Sequence, residues 1–310
     1  MPAILAFFFL TAVTLTAQEK WPIRLQAPQP ALKQLPDKEG VQAWETAHYL
    51  MSWEGEVSRP HLNDLARVAE SVPLLFRQLP LPLWAPPKGG KAEIRICKDE
   101  TSFVARGGPI GAAGFYHGRQ ATVLIRGDLL LNPPQARATR LRIGPDGDLL
   151  VHELCHLAMH RYHNLPPWLS EGLAEYFSCS HLGKGAFNFS ESTRRIPQHI
   201  RKFYPVERFP ILELPSLQAL TSLTSREWIR SNNTMDANER YRPYATALLL
   251  IHYHLEGGPE RRNELSNYLT EKLTNPRIQT NPPPIIANDL EERLAKFWKP
   301  KGLSIRFRKE

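Results

Sequence analysis

Two histidines four residues apart enclose a glutamate: His152, Glu153 and His156, inside the run DLLVHELCHLAMHRYHNLPPWLSEGLAEYF that spans 148–177. On a helix, positions i and i+4 share a face one turn apart. Two imidazoles so placed can close on one metal ion, and zinc is the usual occupant. Glu153 stands beside the first imidazole, where a carboxylate can take a proton from a water held on that metal. Two imidazoles need a third protein ligand, with the fourth position left to water. Glu171 and Glu175 offer the choice, since they lie four apart on one face of the next helical run. One can ligate while the other accepts a hydrogen bond from a ligand histidine and fixes its tautomer.

His160 continues the four-residue series but cannot join the same site. Two turns of helix carry it about 12 Å from His152, whereas both would have to lie about 2 Å from the ion. A metzincin would need glycine at 159 and histidine at 162; the chain has Met159 and Tyr162 there, so that class is excluded. Cys155, within the motif, is turned away from the line joining the two histidines and reads as a small buried residue. With Cys97 and Cys179 it makes an odd count without regular spacing, which argues against a disulfide framework.

The elements that must hold these residues are partly legible. Asp148 can cap the metal helix, which is expected to run to about His163 and to stop before Pro166 and Pro167. A reversal at Asn164–Pro167 would fold a second helix, from about Pro167 to Cys179, back over the histidines. Upstream, AEIRIC at 92–97 and ATVLIRGD at 121–128 read as strands, and the aromatic-rich run from Trp44 to Trp53 as another. The stretch GGPIGAAGFYHGRQ between them predicts loop or turn, without the strand–GxGxxG–helix order of a phosphate site. Ser58, Pro60 and the spacing of Leu62, Leu65, Ala69, Val72, Phe76 and Leu79 predict an amphipathic helix that could bend at Pro73. Residues 132–147, rich in proline and glycine, predict a long loop. Helices are expected near 216–223 and 225–230, from Pro243 to Gly257, over 259–273 and at LEERLAKFW. Strands first, then the metal helix, then helices describe an α+β fold: a small mixed sheet, the HExxH helix and a mostly helical C-terminal half.

The apolar, uncharged run from Ala3 to Ala17 predicts a signal peptide over 1–17. The protein is then exported, periplasmic or extracellular, with no membrane span left after cleavage. Residues 18–43 carry prolines and polar residues without a period and predict a linker or arm. An N-terminal sheet and metal-helix subdomain over 44–180 and a helical subdomain over 181–310 would form one catalytic unit. The net charge is +8, but the basic residues are scattered apart from Arg194, Arg195, Arg201 and Lys202. This predicts a solvated surface, and no nucleic-acid partner is expected.

HELCH followed by PPWLSEGLAEYF resembles the gluzincin metallopeptidases, particularly the peptidase MA-like family of exported bacterial proteins, with its pattern HExxH, proline-rich turn and W-L-x-E-G-x-A-E-Y. The resemblance covers roughly residues 90–256. It implies a zincin-like fold, zinc as cofactor, a peptide or protein substrate, and hydrolysis with Glu153 as general base. It implies Glu171 as third zinc ligand and Glu175 behind the ligands, although the spacing in the aminopeptidase gluzincins would reach Glu175. GAAGFY and ATVLIR resemble the family's glycine–aromatic loop and the edge strand that pairs with extended substrate. YRPYATALLLIHYHL resembles a helix whose tyrosine stabilises the oxyanion: Tyr244 by position, with Tyr241 second and His252 weaker. Two other functions remain open. One is a non-catalytic zinc-containing module that binds peptide or envelope polymer on the same fold. The other is a cytosolic, nucleic-acid-associated metalloprotease, which the positive charge suggests and the signal-like N-terminus opposes.

Overall fold

The computed structural model describes residues 21–38, 40–131, 147–203, 211–234, 237–275 and 285–309. The expected signal peptide, the loop expected over 132–146 and the proline-rich stretch 276–284 lie outside these residues. Within them the chain is a mixed α+β structure. No helix among the described residues is long and apolar enough to cross a membrane.

Much of the stretch 18–43, expected to be a linker or arm, is strand. Arg24–Gln26 (β1), Lys33–Lys38 (β2) and Val41–Glu45 (β3) are strands. The sequence hides them because β2 is an edge strand with almost every side chain in solvent. Its pairing with β3 is made by backbone groups, so no apolar alternation marks it. The aromatic run 44–53 is not one strand either. It breaks after β3 at a turn where the Tyr49 N–H donates to Oγ1 of Thr46 (3.2 Å), and Tyr49–Glu54 (β4) returns antiparallel with Trp44 opposite Met51.

The main sheet has six strands in the order β2-β3-β4-β5-β7-β6, where β5 is Ala92–Cys97, β6 is Gly114–His117 and β7 is Thr122–Arg126. β4, β5 and β7 run parallel, and β6 closes the edge antiparallel to β7. The glycine-rich stretch expected to be loop thus supplies the edge strand, and ATVLIR, expected at the edge, is the strand inside it. Gly114 gives β6 no side chain at its first position, and its four residues are too few for a pattern to emerge. Short helices Glu100–Ala105 (α2) and Gly127–Leu131 (α3) follow β5 and β7.

Arg59–Gln78 (α1) starts at Ser58, whose hydroxyl accepts from the His61 N–H, and continues through Pro73. Its buried stripe of Leu62, Leu65, Ala69, Val72 and Phe76 packs against the HExxH helix and shares one apolar cluster with the sheet. Full burial of each large side chain is worth about 1.5–3 kcal/mol. The metal helix is Gly147–Ala158 (α4), shorter than expected. The Ala158 carbonyl accepts from the Ala85 N–H (2.8 Å) and the Arg161 N–H donates to the Ala85 carbonyl (2.9 Å), so a distant segment captures the groups that would have continued the helix. The second helix, Pro167–Ser180 (α5), runs as its sequence predicts.

A hairpin, His181–Gly183 (β8) and Ala186–Asn188 (β9), then pairs with β1 in a separate three-stranded sheet. β1 is thereby joined to the segment after the two helices, and one buried apolar cluster extends from Leu25 to Leu303 across the expected boundary at 180. Next come Ser192–Phe203 (α6), Leu212–Leu214 (β10), Leu217–Ser222 (α7) and Ser225–Thr234 (α8). Ala237–Glu256 (α9), Pro259–Thr274 (α10), Leu290–Trp298 (α11) and Ile305–Phe307 (β11) complete the chain. α9 begins before Pro243, which the helix absorbs. It packs directly on α5 at Gly172, where a Cβ would come within 2.6 Å of Ile251 and 2.7 Å of the Ala247 carbonyl. That glycine sets how closely the second helix of the site can be backed.

Candidate metal centre

α4 and α5 face each other, and the contact brings three ligand atoms together. Nε2 of His152 lies 3.3 Å from Nε2 of His156. Oε2 of Glu171 lies 3.3 Å from the first and 3.6 Å from the second. A tetrahedral ion with bonds of about 2.0–2.1 Å separates its ligands by about 3.3–3.4 Å. The three atoms therefore stand at separations that suit three corners of a tetrahedral cradle for a metal ion. Among the described residues this is the one group of three or more His, Cys, Asp or Glu side chains so disposed.

Glu175 stands elsewhere. Its Oε1 is 3.3 Å from Nδ1 of His152, the ring nitrogen turned away from the cradle. Its Oε2 is 2.9 Å from Nε2 of His199, on α6. The local motif, not the longer spacing count, describes this arrangement: Glu171 shares the cradle with the histidines and Glu175 orients one of them from behind. His199 carried no signal in the sequence, because α6 is short, polar and 24 residues from Glu175.

The charges are mutually supporting. Burial disfavours an ionised Glu171, but the His156 and His152 imidazoles overcome it and hold the carboxyl down to about 2. Glu175 is likewise held far below the usual carboxylate range, against burial, by His152 and His199. Glu153 behaves differently: burial pushes its carboxyl up, although His152 and His156 pull it down.

Glu153 faces β6. A Cβ on Gly114 would lie 2.7 Å from Oε1 and 2.8 Å from Cγ of Glu153, so only glycine leaves space for this carboxylate. The Tyr116 backbone N–H donates to it. The Ala113 carbonyl accepts from Arg126 on β7, so backbone groups at 114 and 116 point to the open side of the edge strand. The Tyr116 ring stacks on His156, with centroids 6.2 Å apart and planes 16° from parallel. Its hydroxyl is 2.5 Å from Nδ1 of His160, a partner that accounts for His160 outside the ligand set.

The expected oxyanion tyrosine is less directly placed. Tyr244 packs against Trp228 (5.0 Å) and Tyr241 (6.3 Å). Tyr241 in turn lies 6.1 Å from the ring of His199 and so connects to the ligands through Glu175. His252 is buried in a separate polar cluster with Ser192 and Glu256. Cys97, Cys155 and Cys179 are each free and buried. Of the basic residues on α6, Arg194 pairs with Glu191, Arg195 donates to the His181 carbonyl and Arg201 to that of Gly302.

Residues 151–278 match a protein family described as "Protein of unknown function (DUF1570)". The matched segment contains both histidines, both glutamates and His199, and it ends before α11. No curated protein matches the chain.

Proposed function

We propose that this chain is an exported zinc metallopeptidase of the gluzincin type, zincin-like in fold, which hydrolyses peptide bonds with Glu153 as general base. The observation that carries the reading is the convergence of Nε2 of His152, Nε2 of His156 and Oε2 of Glu171 at tetrahedral separations. His152, His156 and Glu171 would hold the ion, and zinc bound there supplies Lewis acidity and a water whose pKa falls to about 7.

The remaining steps belong to the chain. Glu153 takes the proton of the attacking water on its carboxylate and passes it to the leaving amine. Burial raises the basicity of that carboxylate, which favours it as a general base. Glu175 accepts a hydrogen bond from Nδ1 of His152, which leaves Nε2 free to face the cradle. The open edge of β6 offers the backbone of Gly114 and the carbonyl of Tyr116 to an extended peptide, beside the base. A tyrosine of α9 takes the oxyanion charge.

The test is metal analysis of the purified protein together with a peptide-library cleavage profile of the wild type and of Glu153→Gln. The reading expects about one zinc per chain and cleavage reduced about 10²- to 10⁴-fold in the variant. Undiminished cleavage in Glu153→Gln overturns the mechanism. Bound zinc without any cleavage by the wild type assigns the fold to peptide or envelope-polymer binding instead.

A further inference from the structure

Behind the metal helix, on the side away from the cradle, lies a cavity of about 180 Å³. A single water needs about 10–15 Å³ of such space, so a ligand of several heavy atoms fits. Leu157 and Ala158, which directly follow His156, form one wall; Tyr49, Arg77, Trp84 and Lys91 form others.

The polar groups that line this space, and the acids bonded to them, are unevenly satisfied. Glu70 is held on both oxygens by His48, through its backbone N–H (2.8 Å) and its ring (2.6 Å). Glu45 is held by Lys91 (2.7 Å) and Lys33 (3.5 Å). Arg77 forms no ion pair among the described residues; its guanidinium rests on the Trp84 ring, 4.8 Å from the centroid. A guanidinium stacked by its face keeps the edge N–H groups free for a planar, two-point acceptor. Tyr49 is only 2% exposed. Its backbone bonds to Thr46, but its hydroxyl makes no hydrogen bond among the described residues. Burial, reinforced by the Glu70 charge, keeps that phenol protonated and therefore a donor.

The geometry points to a second ligand site: this cavity binds a small oxyanion, carboxylate or phosphate, through the edge of Arg77 and the hydroxyl of Tyr49. Arg77 and the Tyr49 hydroxyl border the same space without an acceptor bonded to them among the described residues, and the two nearby acids, Glu70 and Glu45, already have partners of their own. The Trp84 ring and the aliphatic wall from α4 suit the apolar remainder of an organic anion. The site is independent of the metal reading. Its occupant would press on the two residues after His156 and stiffen the end of the metal helix.

The test is thermal unfolding of the full chain titrated with sodium phosphate, sulfate or acetate, with ionic strength held constant by chloride. The expected result is a saturable rise in melting temperature with at least one of the three, and the one that acts identifies the anion class. Arg77→Gln abolishes the rise, and Tyr49→Phe, which keeps the ring, weakens the affinity about five- to tenfold. Because these anions can also reach a metal, the titration is repeated on His152→Ala, where the rise persists. No saturable response to any of the three overturns the proposal, as does a response retained by Arg77→Gln or lost in His152→Ala. Should Arg77→Gln not fold, an unchanged affinity in Tyr49→Phe overturns it equally.

Discussion

Gly114 and Glu153 occupy space that no third group can share: a Cβ on the glycine would stand 2.7 Å from the carboxylate oxygen Oε1. The edge strand and the helix that carries Glu153 are therefore fitted to each other at this point. Gly114→Ala must push Glu153 aside or move β6, while His152, His156 and Glu171 keep their places on α4 and α5. The variant is expected to bind zinc as the wild type does and to lose about 10²-fold or more in kcat/KM, since a misplacement of about 1 Å costs that much. Metal content and cleavage rate measured on the same preparation check it; full activity would show that the base tolerates displacement.

The two glutamates of α5 are expected to separate cleanly in a chelator competition. Glu171→Gln removes a ligand and should strip zinc at concentrations of competitor that leave the wild type loaded. Glu175→Gln removes only the partner of Nδ1 of His152 and should weaken zinc by about 10- to 100-fold. His199→Ala, one step further out, should weaken it less than Glu175→Gln, and His199→Gln should restore part of the loss. The reverse order for the two glutamates would make Glu175 the ligand.

Tyr241 and Tyr244 are stacked, with planes 5° from parallel, and the Tyr241 ring lies 6.1 Å from that of His199. Removal of an oxyanion donor costs about 10²- to 10³-fold in kcat. Tyr241→Phe is expected to show that loss with little change in KM, and Tyr244→Phe to lose less. Steady-state kinetics on one peptide decides between them, and equal, small effects would exclude both hydroxyls.

Stability should fall on acidification for a reason remote from the candidate metal centre. Burial, aided by Lys301, holds His252 down to about 3; burial, aided by Arg261 and Arg293, holds His254 down to about 4. In the unfolded chain both return to about 6.5. Between about pH 6.5 and 4 the unfolded state therefore binds protons that the folded state refuses, and stability declines as pH falls. Each histidine contributes a slope of up to about 1.4 kcal/mol per pH unit. Glu256, pushed up by burial and 3.6 Å from His252, offsets part of it by taking a proton in the folded state. Urea unfolding across this range should give a shallower pH dependence for His254→Leu than for the wild type. Parallel curves would contradict the burial argument.

The local chemistry was legible in order of residues alone. His152, Glu153 and His156 share a helix face because helical geometry fixes which side chains point together, and Glu171 and Glu175 obey the same rule on the next helix. Ser58 and Pro60 marked the start of α1, and its three- and four-residue spacing marked the buried stripe, because capping and amphipathic period are properties of one segment. What the sequence determined by itself was therefore the set of candidate ligands and the helices that carry them. Which carboxylate joins the imidazoles depends on how α4 and α5 close, and that is a distance between segments. The strands over 24–45 and the edge strand at 114–117 escaped notice because backbone pairing leaves no mark on side-chain type. His199, Tyr116 and the space made by Gly114 belong to elements brought in from elsewhere, and the early end of α4 is imposed by Ala85. The tertiary structure alone decided these, because each is a contact between parts of the chain whose own sequences contain no record of the other.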